Sequence, residues 1–445
     1  MGIVFFFNTS STFAQMGTRF PSERKIVKDP VTGVDLIFLT STPSGDSKIY
    51  PTHNQWTSDG EWIIFRSHRA GKEAMAVNEK TGVIVQVTEG GFRGTLDVAR
   101  KSMKLFYAQP SEENEHSLKM MEVDLAKLFS DSETGELKSA DEYQRVCGIT
   151  PPEMEANSDI ALDANEEWIW FSVGKDEALK HLPEGTKIED NFGARNMGAG
   201  PGGIAGMNIN TGEIKYVTSV PFKVGHIQSN PWVPGQIVFC WETGGKSPQR
   251  TWIVNSDGTG LRPLYPESKY EWVTHEVVIS PDEVAFAIMG HRKIPGTSED
   301  VPEGTDVHGV NPGQEAEWGP CGTREKPTGL GIVNIKTREM TIAGQIPYGS
   351  GFWHVAGSSD GRFVAGDNFA RELYIIDRHT HEMKLLSAGH KPTAGDHVHP
   401  TFSPDGTKIE IQSAMLSEDG KSMNICVIPL PQDWLNRNYD TSANN

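Results

Sequence analysis

Apolar and polar residues trade places at every second position over short runs along this chain, and the runs are punctuated by Asp-Gly and Thr-Gly pairs. Alternation with period 2 marks half-buried β-strands. Glycine at the punctuation accepts φ > 0 and so marks tight hairpin turns. One line recurs seven times: an apolar or aromatic residue, small polar residues, often a glycine, then alternation. Its copies are Trp56-Thr-Ser-Asp-Gly-Glu-Trp-Ile-Ile-Phe65, Asp97–Tyr107, Leu162–Phe171, Trp232–Phe239, Ile279–Phe286, Ser358–Ala365 and Phe402–Ile411. Each copy is followed by a second line of apolar alternation, Asn or Asp, and often Thr-Gly. Ala76–Gly82, Met207–Gly212, Ile253–Gly258, Ile332–Thr337 and Ile375–Thr380 carry it, with degenerate copies at Met121–Leu125 and Ile425–Leu430.

Two hairpins make a four-stranded antiparallel sheet, and seven such sheets set radially form an all-β, seven-bladed β-propeller. The first strand-like segment, Val27 to Thr40, is the second half of a repeat without its first half. The last copy, ending near Leu430, lacks its outer strand. The N-terminal strand is therefore expected to complete the last blade and close the ring. A pair of β-sandwich domains is the other all-β reading, and seven paired lines in a constant order argue against it.

Three blades are longer than the roughly 40–50 residues that a bare blade needs. Insertions are expected near 110–150, 174–203 and 291–328. The first includes a helix through Met121–Phe129, the second is Gly-rich, and the third holds His308. Long insertions on one face build the rim of a binding site. The propeller is expected over 25–432, with a tail at 433–445. Residues 1–24 read as a signal remnant or disordered N-terminus. Val4-Phe-Phe-Phe7 and Ala14-Gln15 look like the end of a secretory signal peptide without its basic n-region, which implies a periplasmic or secreted protein.

The chain has 445 residues, of which 41 are Lys or Arg and 59 are Asp or Glu, for a formal net charge of −18. That charge excludes non-specific nucleic-acid binding, which rests on neutralising phosphates. An anionic substrate would need a local cluster of Arg, His or metal. No apolar run reaches the ~18 residues of a membrane span. The four cysteines, Cys147, Cys240, Cys321 and Cys426, form no CxxC pair, which argues against a zinc knuckle.

Histidine carries the chemistry. His53, His226, His275 and His354 each lie near the start of a repeat line, as do His397 and His399 in Asp396-His-Val-His-Pro400. That position is the innermost strand of a blade, facing the central channel. In an extended strand, His-x-His would place both imidazoles on one face, about 7 Å apart. His116, His379 and His381 fall in loops or outer hairpins. His68 and Arg69 sit where a blade-turn motif is common, and Asp59, Asp360 and Asp405 belong to repeat turns.

The stretches Val224–Pro231, Ile237–Glu242, Gln249–Gly258 and Thr274-His-Glu276 resemble the oligogalacturonate lyases. So do His354, Ser358–Asp367 and His397–Gly406. The resemblance runs from about residue 27 over most of the chain. It implies a seven-bladed propeller that cleaves uronate-linked sugars by β-elimination. It also implies that His226 is the base and that His275, His397 and His399 hold a divalent metal, manganese in that family, with calcium or zinc as alternatives. The family's Gln three residues before the first His of His-x-His is Ala394 here, so Gln228, Asp396 or water would complete the set. The family has no counterpart of His53. Ulvan lyases and propeller enzymes acting on rhamnose–glucuronate linkages do use a blade-one histidine, so His53 is the second candidate base.

Elimination removes the proton at C5 beside the uronate carboxylate and expels the 4-O substituent. The carboxylate charge must be neutralised as the enolate-like state forms. A metal or an Arg does this, and Arg195 and Arg250 are the candidates. A neutral imidazole suits the base role near neutral pH. Gln228, Asn54, His354 and Arg69 are candidate substrate-binding residues. The expected partner is a uronate-containing oligosaccharide or polysaccharide, with the chain a monomer or homodimer. Two other functions stay open: a propeller glycosidase acting on rhamnose–glucuronate linkages, and a non-catalytic TolB-like interaction propeller.

Overall fold

A computed structural model describes residues 14–191, 196–243, 247–267, 272–288, 329–346 and 351–439. The described strands form seven antiparallel sheets, the expected seven-bladed β-propeller. Blade 1 runs outward from the two-residue strand Ser47–Lys48 through Trp62–Ser67, Glu73–Asn78 and Ile84–Gln86. The innermost strands of blades 2 to 6 are Arg93–Val98, Ile160–Leu162, Val224–Ser229, Val273–Ser280 and Phe352–Gly357. Blade 7 begins with Thr401–Phe402.

Closure follows the expectation, with a whole hairpin rather than one strand. Asp35–Phe38 pairs antiparallel with Asn424–Pro429, with Phe38 opposite Cys426, and Lys25–Lys28 pairs outside it. The turn of that hairpin is the turn of the repeat. Asp29 Oδ1 accepts the backbone N–H groups of Val31 and Thr32, and Gly33 has φ 74°. Asn78, Asn208, Asn334 and Asp377 make the same Asx turn in blades 1, 3, 5 and 6. A short polar side chain that bonds the backbone two and three residues on fixes the hairpin locally.

Seven apolar clusters fill the seven blade–blade contacts. The one that seals the ring packs Leu39, Ile425 and Val427 against Ile63, Phe65 and Val77. Three expectations shift. The first insertion's helix is Leu125–Thr134, capped by Asp124, because Met121 belongs to the strand Leu118–Asp124. Residues from 14 onward are packed: Met16 is buried, and Arg19–Phe20 adds a fifth strand outside Ile84–Gln86. The tail also docks, with Trp434 buried against Phe363 and Arg437 paired with Asp377. Residues 1–13, most of the signal-like stretch, and the 291–328 insertion with His308 lie outside the described residues, as does Cys321.

Candidate active site

Propeller inner strands converge on one axis, so a side chain at the same position of several blades meets its counterparts there. In blades 4 and 5 the backbone is altered at that position. His226 and His275 have φ of 46° and 53°, and the strand register slips between Gly225 and Gln228 and between Thr274 and Val277. Each is a β-bulge that turns the imidazole into the channel. A non-glycine residue in this region costs on the order of 1–3 kcal/mol, and such residues cluster at functional sites. Blade 6 slips likewise around His354, between Phe352 and Val355. His399 has φ 53° and precedes the strand, which starts only at Thr401. His397 and His399 therefore do not lie on one face of an extended strand, contrary to the His-x-His expectation.

The rings meet around Tyr50, which follows the short inner strand of blade 1. Its ring centroid is 5.2 Å from that of His226, 6.0 Å from His354 and 5.4 Å from His399. Its Oη is 2.5 Å from His275 Nδ1. His354 is the centre of the imidazole cluster, with ring centroids 4.3 Å from His275, 3.9 Å from His399 and 5.5 Å from His397. Tyr50, His226, His275, His354 and His399 line a cavity of about 310 Å³, together with Glu242, Arg250 and Trp353.

Hydrogen bonds decide which nitrogens are available. Asp367 is fully buried, and its oxygens lie 3.2 and 3.3 Å from His354 Nδ1. The Nδ1–H therefore donates to the carboxylate, and Nε2 keeps its lone pair on the far side of the ring. His397 Nδ1 is buried with no partner, 3.8 Å from Asp367. His399 is engaged at both nitrogens, with Asp396 at 3.2 Å and Gln412 at 3.5 Å. Burial holds His275 and His354 well below the usual imidazole range, with the neighbouring histidines, and Arg250 for His275, adding to it, and lowers His397 as well. Neutral imidazoles are the form that ligates a cation. Among the described residues, one compact group of candidate ligand atoms is His354, Asp367 and His397; another is His226, Cys240 and Glu276. The expected trio of His275, His397 and His399 is not such a group, because His354 stands between its members.

His226 sits in a charged frame. Its Nε2 is 3.4 Å from Glu242 and its Nδ1 3.5 Å from Glu276 Oε1. Arg250 Nε donates to Glu276 Oε2 at 2.8 Å, and its Nη2 is 3.2 Å from His226 Nδ1. Burial pushes Glu276 up, but Arg250 and His226 outweigh it and hold the carboxyl at about 2. Glu276 Oε1 has no other partner. Nδ1 therefore faces both a guanidinium N–H and the Glu276 carboxylate, and Nε2 faces Glu242.

The remaining expected residues stand elsewhere. His53 donates from Nε2 to the Ile160 carbonyl at 2.7 Å and accepts at Nδ1 from Thr52 Oγ1 at 2.7 Å, so both nitrogens are occupied. Gln228 is buried and bonds the Glu276 carbonyl and the Val278 amide. Asn54 bonds the Trp56 and Val98 carbonyls. Arg69 is paired with Glu23 and Asp46. These three hold the scaffold. Arg195 lies outside the described residues.

Two solved structures align over nearly the whole chain. One is an oligogalacturonate lyase in complex with manganese, at TM-score 0.70 and 18% identity, covering 95% of this chain and 100% of that one. The other is an oligogalacturonate lyase from Vibrio parahaemolyticus, at TM-score 0.66 and 17% identity, with 95% and 100% coverage. The fold is that of the oligogalacturonate lyases. No family model matches the chain, and no curated protein matches its sequence. Sequence reasoning missed Tyr50, the Asp367 partner of His354 and the role of Glu276. Tyr50 carries no sequence signal, whereas the other two lie inside stretches that carry the resemblance.

Proposed function

We propose that this chain is a lyase that cleaves uronate-containing oligosaccharides by β-elimination. The observation that carries the reading is His226, set between Glu276 and Glu242 at the wall of a cavity whose other wall is a cluster of imidazoles. His226 Nε2 takes the C5 proton, the C–H electron pair forms the C4–C5 double bond, and the 4-O oxygen leaves with its bonding pair and takes up a proton. Glu276 and Glu242 flank the His226 ring and stabilise the imidazolium that forms. Arg250 holds Glu276 in place.

The donor set fits a divalent cation, manganese by analogy with the manganese complex. His354 is buried and His275 and His397 are half-buried, all three shifted toward the neutral form; His397 Nδ1 is orphaned, and Asp367 orients His354. His275, His354 and His397 are the residues that would hold it, with His399 joining only by giving up its contact with Asp396. When bound, the cation supplies neutralisation of the substrate carboxylate. Trp353 and Tyr50 wall the cavity and limit water around the reacting carbon. The Val4–Gln15 stretch supports reading the enzyme as periplasmic or secreted.

The test is His226→Ala. Turnover of uronate oligosaccharides, followed by the ultraviolet absorbance of the unsaturated product, is expected to fall about 10²–10⁴-fold, with folding and cation content unchanged. Retained turnover in that variant, lost instead on replacing His53, would move the base to blade 1.

A further inference from the structure

Arg66 has no part in the reading above. It lies on the second strand of blade 1, opposite Ser47 of an inner strand only two residues long. That short strand lets a second-strand side chain reach the channel. Arg66 lines a cavity of about 360 Å³ that shares Tyr50 and His226 with the imidazole cavity. Among the described residues it forms no ion pair within 4.0 Å, and its Nε is buried without a hydrogen-bond partner. Asp159 and Asp396 act on it only from a distance, and Asp159 Oδ1 accepts from Thr95 Oγ1.

An arginine with no carboxylate within 4.0 Å, in a cavity that it shares with Asp159, keeps guanidinium donors for an anionic ligand, because burying the charge unpaired is costly. Arg250 offers no such site, since its guanidinium already faces Glu276 and Glu242. Gly94 lines the same cavity. Blade 2 has its register slip there, φ is 64°, and a Cβ would collide with the Ser158 carbonyl. Blades 4 and 5 have histidine at the corresponding bulge, and here the wall has no side chain.

We infer that Arg66 binds the carboxylate of a second uronate residue, on the blade 1–2 side of the sugar that meets His226. The inference rests on the uronate lyase reading and adds that ligands with two or more carboxylates are preferred. Arg66 binds through paired N–H donors, which Lys does not reproduce.

The experiment uses His226→Ala as a non-turnover background, with ultraviolet absorbance confirming that no product forms. Calorimetry then measures galacturonate, trigalacturonate and an oligosaccharide of alternating rhamnose and glucuronate. Arg66→Met is expected to weaken the preferred uronate oligosaccharide about 10- to 100-fold and to leave galacturonate unchanged. Arg66→Lys should fall between. The melting temperature should hold or rise, since an unpaired buried charge is removed. Equal oligosaccharide affinity with and without Arg66, or an equal loss for galacturonate, overturns the second subsite. A melting temperature that falls along with affinity in Arg66→Met, while Arg66→Lys restores both, assigns Arg66 a structural role with Asp159 and Asp396 and also overturns it. If the His226→Ala parent binds neither oligosaccharide, the lyase reading itself fails and takes this inference with it.

Discussion

Replacing Asp367 with Asn exchanges one carboxylate oxygen for an NH2 group and removes the charge with almost no change of shape, and it probes the imidazole cluster directly. Asp367 Oδ1 accepts the His354 backbone N–H at 2.7 Å, and the carboxylate accepts His354 Nδ1–H at 3.2–3.3 Å. An Asn oxygen retains the backbone bond. The amide nitrogen then faces Nδ1 and donates to it, so the imidazole proton moves to Nε2. That nitrogen lies on the side of the ring away from Asp367, where it would ligate a cation, and it loses its lone pair. Disturbing such a carboxylate–histidine partner costs about 10- to 100-fold in metal affinity, or about 1.4–2.8 kcal/mol. Burial pushes the Asp367 carboxyl up while His397 and His399 pull it back, so replacing it does not abandon a strongly favourable charge and folding should survive. Titration of the metal-free protein with Mn²⁺ and Zn²⁺, beside a thermal melt, measures both. Parental cation affinity in the folded Asp367→Asn variant would refute the tautomer argument and remove His354 from the proposed ligand set.

Phe38 closes the ring, fully buried opposite Cys426, and Phe38→Ala should cost about 3–5 kcal/mol of unfolding free energy. An unchanged denaturant midpoint would mean that the N-terminal hairpin does not seal the propeller. Stability should also fall with acid in the presence of chelator. His275 and His354 lie well below the usual imidazole value of 6.5 in the folded chain, through burial first and neighbouring histidines second. The unfolded chain thus takes up protons first, and their contribution is full above 6.5 and lost as pH falls below it, with a slope of at most about 1.4 kcal/mol per pH unit for each group. Glu276, held at about 2 against an ordinary 4.5, extends the loss between those two values. Denaturant midpoints across this range should decline, with a shallower decline in His354→Gln; a flat profile would contradict the buried neutral imidazoles.

The ring was legible because its signals are local. Asp59, Asp360 and Asp405 each cap a hairpin by accepting from the hydroxyl two residues before, and Asp29–Gly33 repeats the Asx turn that marks the missing half-blade. The channel histidines were legible for the same reason, since each precedes a repeat line. What escaped depends on conformation or on distant partners. The positive φ of His399 is invisible in His-Val-His, so an extended strand was the natural reading. Tyr50 matters only because blade 1's inner strand stops at Lys48. Gln228 and Asn54 looked free to bind a ligand, but buried amides next to bulged strands are claimed by backbone groups that the bulge leaves unpaired. Arg66 carries no signal in the sequence, since its access to the channel depends on the inner strand before it being only two residues long.

The most direct test of the whole account is incubation of the purified chain with uronate oligosaccharides, pectic and rhamnose–glucuronate, followed by product analysis. The account predicts an unsaturated uronate at the new non-reducing end, formed by the native protein and not by His226→Ala. Saturated products would identify a hydrolase acting on the same cavity, and intact oligosaccharides throughout would contradict the lyase reading of the histidine-lined channel.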